Sequence, residues 1–382
     1  MRVIVAGAIA AHPLGGGGNT WAFLQYVLGF KRLGCETYYV EEIDAGRCID
    51  ADWKPSSFAV SANAQYFAAT MQGFGFSERA ALLESGSGES IGLRKLQLEE
   101  VAQDADLLVN LSGRFHQRSI LDRVRRRMYV DLDPGFVQIW QAQYNVDMNL
   151  ARHDVHVTVG LNLGADSCPM PTCGIDWHTT LPPVVLDEWQ TTTPAGSAYT
   201  TVADWRGYSP VEWQGQWYGQ KSEEFLRIID LPRHSKAPIE LCLAIHPEEA
   251  DRQRLLDHGW RLVEPRQRIA TPDAYRNYVQ TSRGELTVAK NGYVAGRTGW
   301  FSDRSACYLA AGRPVIVQDT TIGGYVPTGE GLLTFTDTAS AAAALERVEA
   351  NYERHAETAR QFAREYLDSD RVLARLIELA RL

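Results

Sequence analysis

Three stretches of this chain gather residue types that can hold an anion or move a proton. The first is His12-Pro13-Leu14-Gly15-Gly16-Gly17-Gly18-Asn19-Thr20. Glycines let backbone approach a ligand closely, and a helix opening at Asn19 or Thr20 offers unpaired N–H groups to anions or hydroxyls. His12 can take a proton from a hydroxyl, because imidazole is largely neutral at cellular pH. The second stretch is Tyr129-Val130-Asp131-Leu132-Asp133-Pro134-Gly135. Here Asp131 and Asp133 compete with His12 as the base, or would orient it, while Asp133 can equally cap a helix starting after Pro134.

The third stretch runs from Lys290 to Ser305 and concentrates donors. Gly296 and Gly299 leave room for a ligand, Arg297, Thr298 and Arg304 supply guanidinium and hydroxyl donors suited to a diphosphate, and Ser302 reads as the N-cap of a helix. Asp303 opens that helix. Further upstream, Gly219-Gln220-Lys221 precedes a helix, so Lys221 either reaches a phosphate as a point charge or is simply solvated. Trp205, Trp213, Trp217 and Tyr218 could stack on a sugar or base, or pack a core. Cys168, Cys173, Asp176 and His178 lie close in sequence, but no second cysteine pair follows, and no metal site is expected.

The elements that must position these residues alternate. Apolar runs at Val3–Ala8, Glu36–Ile43, Ala105–Leu111, Arg127–Leu132 and His153–Leu161 read as strands of a parallel sheet, separated by helical stretches. From Cys168 to Pro194 the prolines 169, 171, 182, 183 and 194 break the rhythm and mark a connection. A second alternation follows, with strands at Tyr199–Ala203, Ile239–Ile245, Trp260–Val263, Glu285–Ala289, Pro314–Gln318 and Leu332–Phe335. The tail from Ala339 carries apolar residues at helical spacing. The expectation is an α/β protein of two Rossmann-like domains, residues 1–175 and 199–382, joined by a linker at 176–198 and closed by C-terminal helices.

A Gly-Trp-x-Ser turn at Gly299 to Ser302, a short helix, and then Ala310-Ala311-Gly312-Arg313-Pro314-Val315 resemble the donor-binding region of GT-B fold glycosyltransferases. The glycine loop, the mid-chain linker and the terminal helices are similar to that fold as well. The resemblance implies a C-terminal lobe that binds a nucleotide-sugar and an N-terminal lobe that binds the acceptor. It implies phosphate contacts from Ser302 and its neighbours, and a place near the sugar or ribose for Asp319 and Glu330. Where retaining members carry two glutamates eight positions apart, this chain has Gly299 and Cys307. Plant-type inverting members carry their ribose glutamate at the place of Cys307, so Asp303 would have to supply the carboxylate. Val263-Glu264-Pro265 falls where backbone could meet the base.

The expected reaction is transfer of a sugar from a UDP- or dTDP-type donor to a small-molecule hydroxyl or amine. The acceptor side would be lined by Gly15 to Gly18, Asn19 and the stretch from Phe58 to Phe76, and no metal or other cofactor is obligatory when amide and guanidinium donors stabilise the leaving diphosphate. Rival readings are a nucleotide-sugar epimerase of the same fold, an NAD(P)-dependent oxidoreductase using Glu41 or Glu42 on the ribose, and a non-catalytic two-lobed binding protein. Composition bounds the setting. The 382 residues are 45% hydrophobic and carry a formal charge of -9, which is enough for two cores and unsuited to general nucleic-acid binding. Six scattered cysteines, no signal-like start and no long apolar run point to a cytoplasmic protein with no membrane span. A homodimer is left open.

Overall fold

The computed structural model describes residues 1–192 and 196–382; Pro194 of the expected connection therefore lies outside the described residues. The first sheet uses β1 (Arg2–Gly7), β2 (Glu36–Ile43), β3 (Ala80–Glu84), β4 (Ser90–Gly92), β5 (Leu107–Leu111), β6 (Arg126–Asp131), β7 (Val155–Thr158) and β8 (His178–Thr179). Their order is β4-β3-β2-β1-β5-β6-β7-β8, with only β4 antiparallel to its neighbour. The second sheet begins with β9 (Tyr199–Asp204), and a hairpin of β10 (Val211–Trp213) and β11 (Gln216–Tyr218) stands apart from it. It continues with β12 (Ile239–Ala244), β13 (Arg261–Val263), β14 (Gly284–Thr287), β15 (Val315–Gln318) and β16 (Leu332–Phe335). All its pairs are parallel, in the order β13-β12-β9-β14-β15-β16.

Each sheet is doubly wound, because its order reverses beside its first strand: between β1 and β5 in one, and between β9 and β14 in the other. Side-chain alternation covers both faces. Val3 and Val5 pack on the face of the helix Gly17–Arg32, while Ile4 and Ala6 face the opposite core with Leu98 and Leu108. The first of these cores does not stop at the lobe boundary. It runs on to Tyr275, Tyr308, Val315 and Leu373 of the second half. The chain's last helix, Ser369–Leu379, returns to the first lobe, where Arg32 Nε donates to Asp370 at 2.9 Å.

The strands around the first switch point lie where the apolar runs place them, but β3 was not expected. Its Ala-Ala-Leu-Leu-Glu sequence favours a helix, and burial between β2 and β4 overrides that preference. The Phe58 to Phe76 stretch contains the helix Ala62–Gly73, which turns Phe67 and Met71 into the core rather than toward an acceptor. Residues His178–Thr179, inside the expected connection, form the edge strand of the first sheet.

Candidate active site

A cleft of about 790 Å³ opens between the carboxyl ends of the two sheets. Ala8, Ala11 and His12 follow β1, Arg114 and His116 follow β5, Asp204 ends β9 with Gly207 and Tyr208 after it, and Lys290 follows β14. Both switch points thus face one space, where doubly wound sheets bind ligands.

On the second-lobe wall Lys221 stands with no carboxylate within ion-pair distance among the described residues. It opens the helix Lys221–Arg227, whose buried Glu224 accepts from Asn291 Nδ2 at 2.7 Å and Gln318 Nε2 at 2.5 Å. Asn291 Oδ1 in turn accepts from Gly219 N–H at 2.9 Å, pinning the lysine's loop to the segment after β14. Desolvation first, then Arg304 and Lys290, pushes the Lys221 ammonium down to about 7, against the pull of the more distant Asp204 and Glu285 carboxylates. A cation held so weakly protonated and without a counterion gains by meeting a phosphate.

Lys290 is differently employed. Its Nζ donates to both oxygens of Asp133 at 3.0 Å across the lobe boundary, Tyr208 Oη donates to the same carboxylate at 2.6 Å, and Tyr293 Oη joins them. Asp133 therefore lines the cleft, as its position after a strand led one to expect, but its lone pairs are spent on a clasp between the lobes. Asp131 does not reach the cleft. It is fully buried and accepts from Asp133 N–H, Gln138 Nε2 and Thr158 Oγ1 at 2.8, 2.9 and 2.8 Å, and burial pushes its carboxyl up to about 6. It braces the loop that presents Asp133. Gly135, not Asp133, is the N-cap of the following helix.

The first-lobe wall carries His12, Asn19, Glu41, Glu42, Arg47 and Arg114. Asn19 Nδ2 donates to Ala8 O at 2.9 Å and fixes the loop after β1. Desolvation lowers the His12 imidazole, Arg114 and Arg47 lower it further, and Asp204 across the cleft opposes them. Neutral at pH 7 and open to the cleft, His12 is equipped to accept a proton. Glu42 is engaged by Ser85 Oγ, Gln117 Nε2 and His116 N–H.

The glycine loop belongs to the lobe interface instead. Gly17 N–H donates to Ile269 O at 3.1 Å, and side chains at Gly15, Gly17 and Gly18 would collide with or crowd residues 265–275 of the second lobe. A side chain at Gly16 would strike the carbonyl of His12, so that glycine closes the turn beneath the histidine. The Gly17 amide at the start of the first helix is thus spent on the other lobe.

The turn from Gly296 to Ser302 also meets the first lobe, but as packing. Asn162 donates from its backbone to Thr298 O at 3.0 Å and from its side chain to Arg297 O at 2.6 Å, and Gly299 N–H donates to Thr320 O at 2.8 Å. Gly160 bridges Trp300, and Gly296 packs on Met170. Ser302 caps its helix by accepting from Arg304 N–H at 3.2 Å. Arg304 is buried against Glu285, Val202 O and Thr287 Oγ1, so its donors are saturated inside the lobe. Asp303 lies on a separate small cavity with Tyr26, Trp300 and Phe301, apart from the cleft. Cys307 is fully buried and receives Gln25 Nε2 of the first helix, leaving no room for a ribose. Asp319 accepts from Thr321 N–H at 2.8 Å, and Glu330 pairs with Arg354 at 2.8 Å; neither lines the cleft. Arg297 is exposed outside it.

Of the residues singled out in the sequence, the cleft gathers His12, Asn19, Asp133 and Lys221. Glu41 and Glu42, named for the rival oxidoreductase reading, line it too, and it adds Arg47, Arg114, Asp204, Tyr208 and Lys290. Their signal was position, since most of them follow the carboxyl ends of strands beside a switch point. Cys168 and Cys173 place their sulfurs on the carbonyls of Gly296 and Gln138. Trp205 and Tyr218 are core residues.

No protein-family model and no curated protein sequence matches the chain. Solved structures do. An alpha-glucosyltransferase in complex with UDP and a 13-mer DNA aligns over 100% of both chains, with a TM-score of 0.60 at 12% identity. Anabaena HepE in complex with UDP and glucose aligns over 100% of both, at 0.59 and 11%. Sucrose-phosphate synthase from Thermosynechococcus elongatus aligns over 100% of this chain and 98% of its own, at 0.54 and 11%. The fold is that of the GT-B glycosyltransferases: two Rossmann-like α/β lobes facing each other across a cleft, with helices at the C-terminus.

Proposed function

We propose that this protein transfers a sugar from a nucleotide-diphosphate donor to a hydroxyl or amine of a small-molecule acceptor. The observation that carries the reading is the uncompensated Lys221 on the second-lobe wall of a cleft onto which both switch points open. On this reading the donor lies along the second lobe with its diphosphate at Lys221. His12 takes the proton of the acceptor as its oxygen or nitrogen bonds to the anomeric carbon. The bond from that carbon to the diphosphate oxygen breaks, and the electron pair leaves with the diphosphate, which the Lys221 ammonium stabilises. Solved relatives in fold hold UDP or UDP-glucose, which supports a uridine donor ahead of a thymidine one. The formal charge of -9 favours a small acceptor over DNA. The six cysteines are free, which supports a reducing, cytoplasmic setting, and among the described residues no helix is long and apolar enough to cross a membrane.

The test is a product screen by mass spectrometry with UDP- and dTDP-sugars against a mixed acceptor library. A new product heavier than its acceptor by one sugar residue is expected. Release of free nucleotide with a rearranged sugar and no acceptor product would instead mark an epimerase. Stabilisation by NADH but by no nucleotide diphosphate would overturn the proposal.

A further inference from the structure

Glu41 is a residue that neither the clasp nor the proposed transfer uses. It lies on β2 opposite Gly7 of β1, is 1% exposed, and lines the cleft beside the loop that carries His12. One of its oxygens, Oε2, accepts from Ala10 N–H at 2.9 Å and from Tyr39 Oη at 3.1 Å. Tyr39 Oη is oriented for this, because it accepts from Ile9 N–H at 3.0 Å and so turns its own proton to the carboxyl. The other oxygen, Oε1, has no hydrogen-bond partner in the protein and is not sealed from the cleft. No cation lies within ion-pair distance of Glu41 among the described residues.

A carboxylate in that place would be a buried charge without a counterion, which is costly; protonation removes the charge. The two donors at Oε2 decide which oxygen carries the proton, since an oxygen that already accepts twice is the carbonyl oxygen of the acid. The hydroxyl must then be Oε1–H, on the cleft side. We infer that Glu41 is a neutral carboxylic acid that offers a hydrogen bond to a hydroxyl oxygen of a polyol or sugar acceptor, and so selects the acceptor. Burial pushes this carboxyl up to about 8, against the N–H groups of Ala10 and Ile9, the Tyr39 hydroxyl and the charge of Arg114, in agreement with the geometry. The inference rests on the glycosyl-transfer reading for the word acceptor, but the state of the carboxyl does not.

Difference infrared spectroscopy of the wild-type protein against Glu41→Gln tests it without turnover. Glutamine keeps an oxygen for Ala10 and Tyr39 and places an NH₂ donor toward the cleft, so the variant should keep the wild-type melting temperature. At pH 7 the wild type should show a protonated-carboxyl stretch that E41Q lacks and that is half lost near pH 8. Saturating glucose, glycerol or myo-inositol should shift that stretch, as its O–H bonds to a sugar or polyol oxygen. Absence of the stretch at pH 7 overturns the inference, as does a stretch that none of the three polyols moves. UDP serves as a separate arm: if it fails to stabilise a protein whose stretch behaves as expected, the donor reading falls while the neutral Glu41 stands.

Discussion

Lys221 and His12 face each other across the cleft, and the environment of each sets a measurable titration. Lys221 is held near 7 in the free protein by desolvation. A bound diphosphate favours the ammonium and raises that value, so binding takes up a proton. UDP affinity should therefore be full below about pH 7 and weaken between about pH 7 and 9, by up to roughly tenfold per unit. Calorimetry across that range on the wild type and Lys221→Met reads it: the variant should bind more weakly and without this slope, and an equal slope in both would exclude Lys221 from the phosphate site. For His12, replacement by alanine should lower kcat about 10²-fold or more with UDP affinity unchanged, the usual contribution of a positioned base. A loss of less than threefold, measured with an acceptor from the product screen, would move the base elsewhere. Sequence alone offered His12, Asp131 and Asp133 on similar terms. Residue type could not separate them, because what distinguishes them is occupancy: Asp131 and Asp133 have their oxygens filled by neighbours from distant positions, 138, 158, 208 and 290, and His12 does not.

At the scale of elements, the glycine loop read for the acceptor and the Gly296 to Ser302 turn read for the donor both lie at the boundary between the lobes. Both have the composition of a ligand-binding turn, and both spend that composition on close contact between the lobes. Glycine is needed wherever backbone approaches backbone, and sequence does not say whether the approaching group is a phosphate or a carbonyl such as Ile269 O. The same geometry makes a stability prediction. Gly17→Ala should cost about 1–3 kcal/mol, as overpacking usually does, because the new methyl meets the carbonyls of Thr271 and Ile269. Chemical denaturation measures this, and a neutral result would mean that the helix Gly17–Arg32 can slide away from the second lobe. The clasp should behave similarly. Asp133→Asn leaves Lys290 facing Tyr208 and Tyr293 without its counterion, at a cost of roughly 1–3 kcal/mol for a partly buried pair. Hydrogen exchange should rise in the helix Asn291–Ala295 next to it. Unchanged exchange there would show that the clasp does not hold that segment.

At the scale of the molecule, the strand alternation announced two doubly wound sheets, and their order could be recognised only once pairing was known. The extent to which the two halves melt as one was not legible, because it depends on contacts between residues more than a hundred positions apart. The first core runs unbroken from Val3 and Trp21 to Tyr308 and Leu373, and Trp21 Nε1 donates to Pro272 O at 2.8 Å. The last helix lies on the first, with a side chain at Gly29 barred by Leu373 and Ser369. Lobes so joined should unfold in a single calorimetric transition, and UDP should move that transition as a whole. At a hundred times its dissociation constant a ligand adds about 2.7 kcal/mol. The unfolding entropy of all 382 residues, at about 2.1 cal/mol/K each, turns this into a rise of about 3 °C. If the second lobe melted alone, about half the entropy would be involved, and its own peak would rise by about 7 °C while a separate first-lobe peak stayed in place. A scanning experiment with UDP distinguishes the two, and two peaks with only one displaced would show that the shared core does not couple the lobes.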